Sequence, residues 1–231
     1  MKLSNHRSFC PAAGMAIGLA LSAAHCQNFG LMDKLENPGS SSQAGDGSAS
    51  APVYCGGQPC RIYTAWDGGN LYAGNLGGVT GADAKCNSDV AKPSVGTYQA
   101  LLVDTAETRR ACVNANCAGA AGIEQSINWV LHPNTVYVQT NGVTVIGTTN
   151  SNAIFTNFPL VNKIDPGNSL FRAWTGLGNG WLKSGNNCSD WTVGTSLPNG
   201  DTGNILGTDY FSFSEAANLC SNGQILYCVQ Q

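Results

Sequence analysis

Ten cysteines carry most of the chemistry this 231-residue chain could perform: Cys10, Cys26, Cys55, Cys60, Cys86, Cys112, Cys117, Cys188, Cys220 and Cys228. A cysteine can ligate a metal, attack an electrophile or pair as a disulfide. Zinc sites usually use CxxC pairs, or Cys with His at set spacings. The two short pairs here, CGGQPC at 55–60 and CVNANC at 112–117, each hold four intervening residues. The histidines are His6, His25 and His132, and only His132 falls in the body of the chain. If Cys10 and Cys26 belong to a leader and its anchor, ten minus two leaves eight. An even set in an exported domain reads as four disulfides rather than a metal site.

Catalytic signatures are missing from the sequence. It contains no Gly-x-Ser-x-Gly elbow, HExxH or Walker loop. His132 precedes Pro133, and no spacing supplies it with a nucleophile or an orienting acid, so it reads as a turn or surface histidine. No catalytic residue, cofactor or metal is expected, and the chain is not read as an enzyme. Asp190, Asp201 and Asp209 with Asn186 and Asn187 could offer oxygen ligands to a cation, but turn formation explains them better. Trp174, Trp181 and Trp191, interleaved with Gly, Asn187 and Asp190, make a candidate contact surface for a glycan or protein. The alternative places these rings in the core, where Trp is usually found. Arg109-Arg110 reads as a solvated helix face.

The leader comes first among the elements that would position these residues. Lys2 and Arg7 precede an apolar run over 11–24, too short to span a bilayer, so residues 1–25 read as a signal peptide. Cys26 follows directly and looks like a lipobox cysteine, although His25 stands where a small residue is usual. Cleavage near Ala24 would leave Cys26 an odd thiol, so lipidation is favoured. Residues 26–53, rich in Ser, Gly, Ala and Pro, read as a flexible tether with little to bury.

The remaining residues, 54–231, read as one α+β domain. Arg61–Ala65 alternates as a first strand. Thr80 suggests an N-cap, with Ala82, Cys86 and Val90 on one helix face before Pro93. Residues 97–103 read as a strand and 105–113 as a second short helix. Residues 136–146 read as a hairpin around a type I′ Asn141-Gly142 turn. A long loop region spans 174–191, and 224–229 is a closing strand.

Bulk composition narrows the partners. Eleven Lys and Arg against fourteen Asp and Glu give a formal charge of −3. No basic excess is available to hold nucleic acid, heparin or acidic lipid. Charged residues form only 11% of the chain while glycines number 29. That balance suits an exported, loop-rich protein better than a helical cytosolic one.

The segments Ile62-Tyr-Thr, Gly74-Asn-Leu-Gly-Gly and Gly81-Ala-Asp-Ala-Lys-Cys86 are followed by Gly96-Thr-Tyr-Gln-Ala-Leu-Leu, Asn187-Cys-Ser-Asp-Trp-Thr and Leu226-Tyr-Cys228. In this order they resemble an uncharacterised domain family found mainly in leptospiral surface lipoproteins. More distantly, the same elements are similar to endostatin domains and C-type lectins. The resemblance implies a C-type-lectin-like mixed fold with two small sheets, two helices, a long loop region and nested disulfides. It implies Cys86 paired with Cys228 and Cys188 with Cys220, which leaves Cys55 with Cys60 and Cys112 with Cys117. The outer bridge would close a loop of about 140 residues, worth ~4–5 kcal/mol in the chain-entropy model. The calcium-site sequences of sugar-binding C-type lectins are absent.

The expected protein is therefore an exported lipoprotein, anchored in the outer membrane or at the cell surface. It would present a non-enzymatic binding or adhesion domain to a protein or glycan ligand. A structural envelope role without an external ligand is the alternative, and an enzyme ranks last.

Overall fold

The structure of the protein, a computed structural model, describes residues 53–167 and 172–231. The expected signal peptide, lipidated Cys26 and nearly all of the tether lie outside the described residues. Among the described residues, eight strands form the framework: β1 (Cys60–Ala65), β2 (Tyr98–Ala100), β3 (Val136–Val138), β4 (Val145–Thr148), β5 (Arg172–Trp174), β6 (Asn199–Asn204), β7 (Ala216–Leu219) and β8 (Ile225–Gln230). Two helices accompany them, α1 (Gly78–Ser88) and the single turn α2 (Cys188–Trp191). No helix among the described residues is long and apolar enough to cross a membrane.

The closing strand is the hub of the sheet. On one edge β8 pairs antiparallel with β1, from Ile62 opposite Val229 to Ala65 opposite Leu226. Its other edge is shared end to end: β2 pairs with residues 228–230 and β5, in parallel, with 225–226. All six β8 residues are buried. Its side chains alternate between two cores, as the two-residue strand period requires. Ile225, Tyr227 and Val229 enter one with Trp181, Phe155 and Phe213. Leu226 and Cys228 enter the other with Tyr63, Tyr98, Trp174 and Trp191. Two small sheets were expected, yet the strands connect into one mixed sheet ordered β4-β3-β1-β8-β5-β6-β7, because β1 bonds β3 as well as β8. The α+β class holds.

Among the described residues, four disulfides close the domain: Cys86–Cys228, Cys188–Cys220, Cys55–Cys60 and Cys112–Cys117. The first joins α1 to β8 across 142 residues of sequence. The second fastens α2 to the segment after β7.

Local hydrogen-bonding side chains account for most departures from the expected elements. Helix α1 stops at Ser88, so Val90 is exposed rather than on the buried face. The cause is Asp89, whose carboxylate accepts from the Trp66 and Ala91 amides at 2.7 and 2.8 Å. That pull takes the backbone into extended geometry before Pro93 is reached. No helix forms over 105–113. Asp104 Oδ1 accepts from the backbone N–H of Thr108 at 2.9 Å and of Arg109 at 3.2 Å, replacing helical bonds with a side-chain turn. The hairpin is real but its turn is not type I′. Gly142 is left-handed at φ 78 and Asn141 is not. Asn141 Oδ1 instead accepts from the amides of Val143 and Thr144, both at 3.0 Å.

Candidate functional site

The region expected to bind a ligand lies around α2, which is built in an unusual way. Cys188, Ser189, Asp190 and Trp191 have φ of 52, 52, 54 and 63°. The amides of Trp191 and Thr192 donate to the carbonyls of Asn187 and Cys188 at 2.7 and 3.1 Å. Together they make one turn of left-handed helix, a conformation that costs L-residues roughly 1–2 kcal/mol each. Asn187 caps the turn by accepting from the Asp190 amide at 3.2 Å.

Asp190 ties this turn to the neighbouring loop. Its Oδ1 accepts from Thr105 N and Thr105 Oγ1 at 2.7 Å, from Ala106 N at 3.3 Å, and from Asn187 Nδ2 at 2.7 Å. Burial by itself would raise the Asp190 pKa. The hydrogen bonds from Thr105, Ala106 and Asn187 outweigh burial and hold the carboxyl below its ordinary range. Neighbouring acids are also engaged within the fold. Asp201 accepts from Asn186 Nδ2 at 3.1 Å, and Asp209 caps the short turn at Tyr210–Ser212.

The three tryptophans read as a contact surface belong to the core. Trp174, Trp181 and Trp191 are each 0% exposed. Their indole N–H groups donate to the carbonyls of Tyr72, Phe155 and Val103 at 2.8, 3.1 and 2.9 Å. Glycines allow the close packing around Trp174 and Trp191. A Cβ on Gly200 would come within 2.7 Å of the Trp174 ring and 2.8 Å of Cys188 Sγ. Rings enclosed in this way have no face left for a ligand, so the contact reading is corrected for all three. Asn187 is buried too.

A different surface holds unpaired polar groups. A cleft of about 250 Å³ opens where α1, β2 and the 108–109 and 128–129 segments meet, lined by Thr80, Asp83, Gln99, Arg109, Asn128 and Trp129. Its floor is an ion pair. Arg109, 3% exposed, donates from Nη1 and Nη2 to the two Asp83 carboxylate oxygens at 2.9 and 2.8 Å. Arg109 Nε donates to Asn128 O at 2.9 Å and Nη1 to Ala100 O at 2.7 Å. Asp83 Oδ1 also accepts from Ala100 N at 2.8 Å. Arg109 is thus a buried clamp, not the solvated helix residue expected. A buried guanidinium needs this many partners to remain charged.

On the walls, the Gln99 amide and Thr80 hydroxyl have no hydrogen-bond partner among the described residues. Trp129 is half-buried, its indole N–H donating to Ala153 O at 2.8 Å and its ring edge-on to Trp181. The cleft therefore offers one aromatic ring, free amide and hydroxyl groups, and a neutralised charge pair. Such a set suits a small, uncharged, hydroxyl-rich ligand. Nothing along the chain signals it, since residues 80, 83, 99, 109 and 129 come from separate segments with no shared motif.

Fold and cleft define a disulfide-closed α+β domain with a polar surface site. Residues 69–208 match the model of a family described as a protein of unknown function, DUF1554. The chain belongs to that family. No curated protein matches it.

Proposed function

We propose that this is a non-enzymatic binding domain of C-type-lectin-like architecture. It is presented by an exported, leptospiral-type surface lipoprotein anchored to the outer membrane through Cys26. Its ligand is a glycan, one sugar residue of which enters the cleft over Arg109 and Asp83. Three features support the architecture: the first strand pairs with the last, an irregular region carries most of the middle of the chain, and Cys86–Cys228 and Cys188–Cys220 are nested.

The observation that carries the ligand reading is the pairing of free Gln99 and Thr80 side chains with the Trp129 ring in one cleft. At about 250 Å³ it is too small for most of a protein epitope but accommodates a pyranose. A glycan array probed with the full chain tests this. Hits should be competed by the free sugar. Gln99→Ala and Thr80→Ala together should weaken them at least tenfold with the melting temperature unchanged. A silent array, or binding indifferent to both substitutions, would overturn the reading.

A further inference from the structure

A second group of reactive atoms lies away from this cleft, at the start of the domain. Among the described residues, Cys55, Cys60 and His132 bring two sulphurs and an imidazole nitrogen within 4.8 Å of one another. The two sulphurs are joined as a disulfide. The geometry points to a redox-gated metal site: a small dithiol opens Cys55–Cys60, and the two thiolates with His132 then hold a thiophilic divalent cation of the Zn²⁺ class.

Three observations converge on it. The first is the imidazole. His132 Nε2 is buried and has no hydrogen-bond partner, and a buried polar atom without a partner calls for an explanation. The ring is held in place by parallel stacking on Tyr54, with centroids 4.0 Å apart and 4° between planes. The residue's backbone is fixed as well, its N–H donating to Tyr137 Oη at 2.7 Å and its carbonyl accepting from Thr149 Oγ1 at 2.6 Å.

The second is access. Seven of the eight paired cysteines are 0–1% exposed, and Cys55 alone is not buried. Cys55 lines a cleft of about 320 Å³ with Arg61 and Gln230. Exposed disulfides are the reducible ones.

The third is freedom to adjust. Two sulphurs bound to tetrahedral zinc stand about 3.8 Å apart, from Zn–S bonds of about 2.3 Å. The linking loop carries Gly56 and Gly57, and a Cβ at Gly56 would meet nothing within 4 Å. Opening this bridge releases a loop of only five residues' separation, so the long-range disulfides still hold the domain.

The chemistry balances. The dithiol gives two electrons and two protons to the Cys55–Cys60 bond and becomes a disulfide itself. Metal binding then displaces both thiol protons to solvent. Three protein ligands leave the fourth tetrahedral position for water.

The test uses the full chain, treated with graded dithiothreitol and freed of reductant under anaerobic conditions before Co²⁺ is added. Alkylation mapping should find Cys55 and Cys60 free before any other pair. One Co²⁺ should bind per chain with a thiolate-to-cobalt charge-transfer band. His132→Ala should weaken Co²⁺ at least tenfold without changing the thiol count. X-ray absorption of the unsubstituted, zinc-loaded chain should show two sulphur scatterers and an imidazole nitrogen, a readout that needs no variant. Earlier opening of another disulfide, absence of Co²⁺ binding, affinity unmoved by His132→Ala, or a zinc shell lacking nitrogen would each overturn the proposal.

Discussion

Asp190 spends its carboxylate on the backbone of a loop 85 residues earlier in the chain, with Thr105 and Ala106 as donors. The bonds favour the ionised acceptor, and they hold the pKa below the ordinary 3.8. A carboxyl whose folded pKa is lowered stabilises the fold above its unfolded pKa and loses that contribution as pH falls through the folded value. Thermal melts from pH 5 downward should therefore show the natural chain losing stability below about 3.8, while Asp190→Asn lacks that part of the loss. Parallel pH profiles for the two proteins would contradict this role. Arg109 works on the same scale from the cationic side, with Asp83 and two carbonyls sharing four of its N–H groups. His132 is the contrasting case, a buried nitrogen left without such a partner.

At the scale of an element, α2 shows what tertiary bonds can impose on a backbone. Four consecutive non-glycine residues are left-handed there, against the steric preference of every one of them. The turn is held by the Asn187 cap, the Asp190 bonds and the Cys188–Cys220 bridge. Ser189 is exposed, and its side chain makes no hydrogen bond among the described residues. Ser189→Gly should relieve local strain and raise stability by about 0.5–1 kcal/mol in denaturant unfolding. A loss of stability would show that the left-handed reading of this turn is wrong. Helix α1 makes the complementary point, since Asp89 ends it by competing for nearby amides.

Across the whole molecule, the disulfides differ in how much chain they constrain. Cys86–Cys228 spans 142 residues and Cys112–Cys117 only five. In the chain-entropy model these are worth about 5 and about 2 kcal/mol. Replacing Cys86 and Cys228 by Ala should therefore lower the unfolding free energy well beyond the effect of replacing Cys112 and Cys117. Equal losses would mean that native packing, rather than restriction of the unfolded chain, sets their contribution. The same ordering leaves the small, accessible Cys55–Cys60 loop free to open while the domain persists.

What the sequence determined by itself was periodic or covalent. Alternation marked β1 and an apolar closing run marked β8, four-residue spacing brought Ala82 and Cys86 into the core from α1, and an even cysteine set implied four bridges. These signals are local, or count residues, and survive without knowledge of neighbours. Tertiary structure alone decided the rest. Asp104 and Asp89 redirected amides that propensity would have left in helices. Burial of Trp174 and Trp191 depends on Gly200 and Gly176, where a Cβ would run into their rings. The cleft over Arg109 and the Cys55–Cys60–His132 cluster join side chains up to about fifty and eighty residues apart. No pattern along the chain records such meetings, because the geometry that makes them belongs to the sheet.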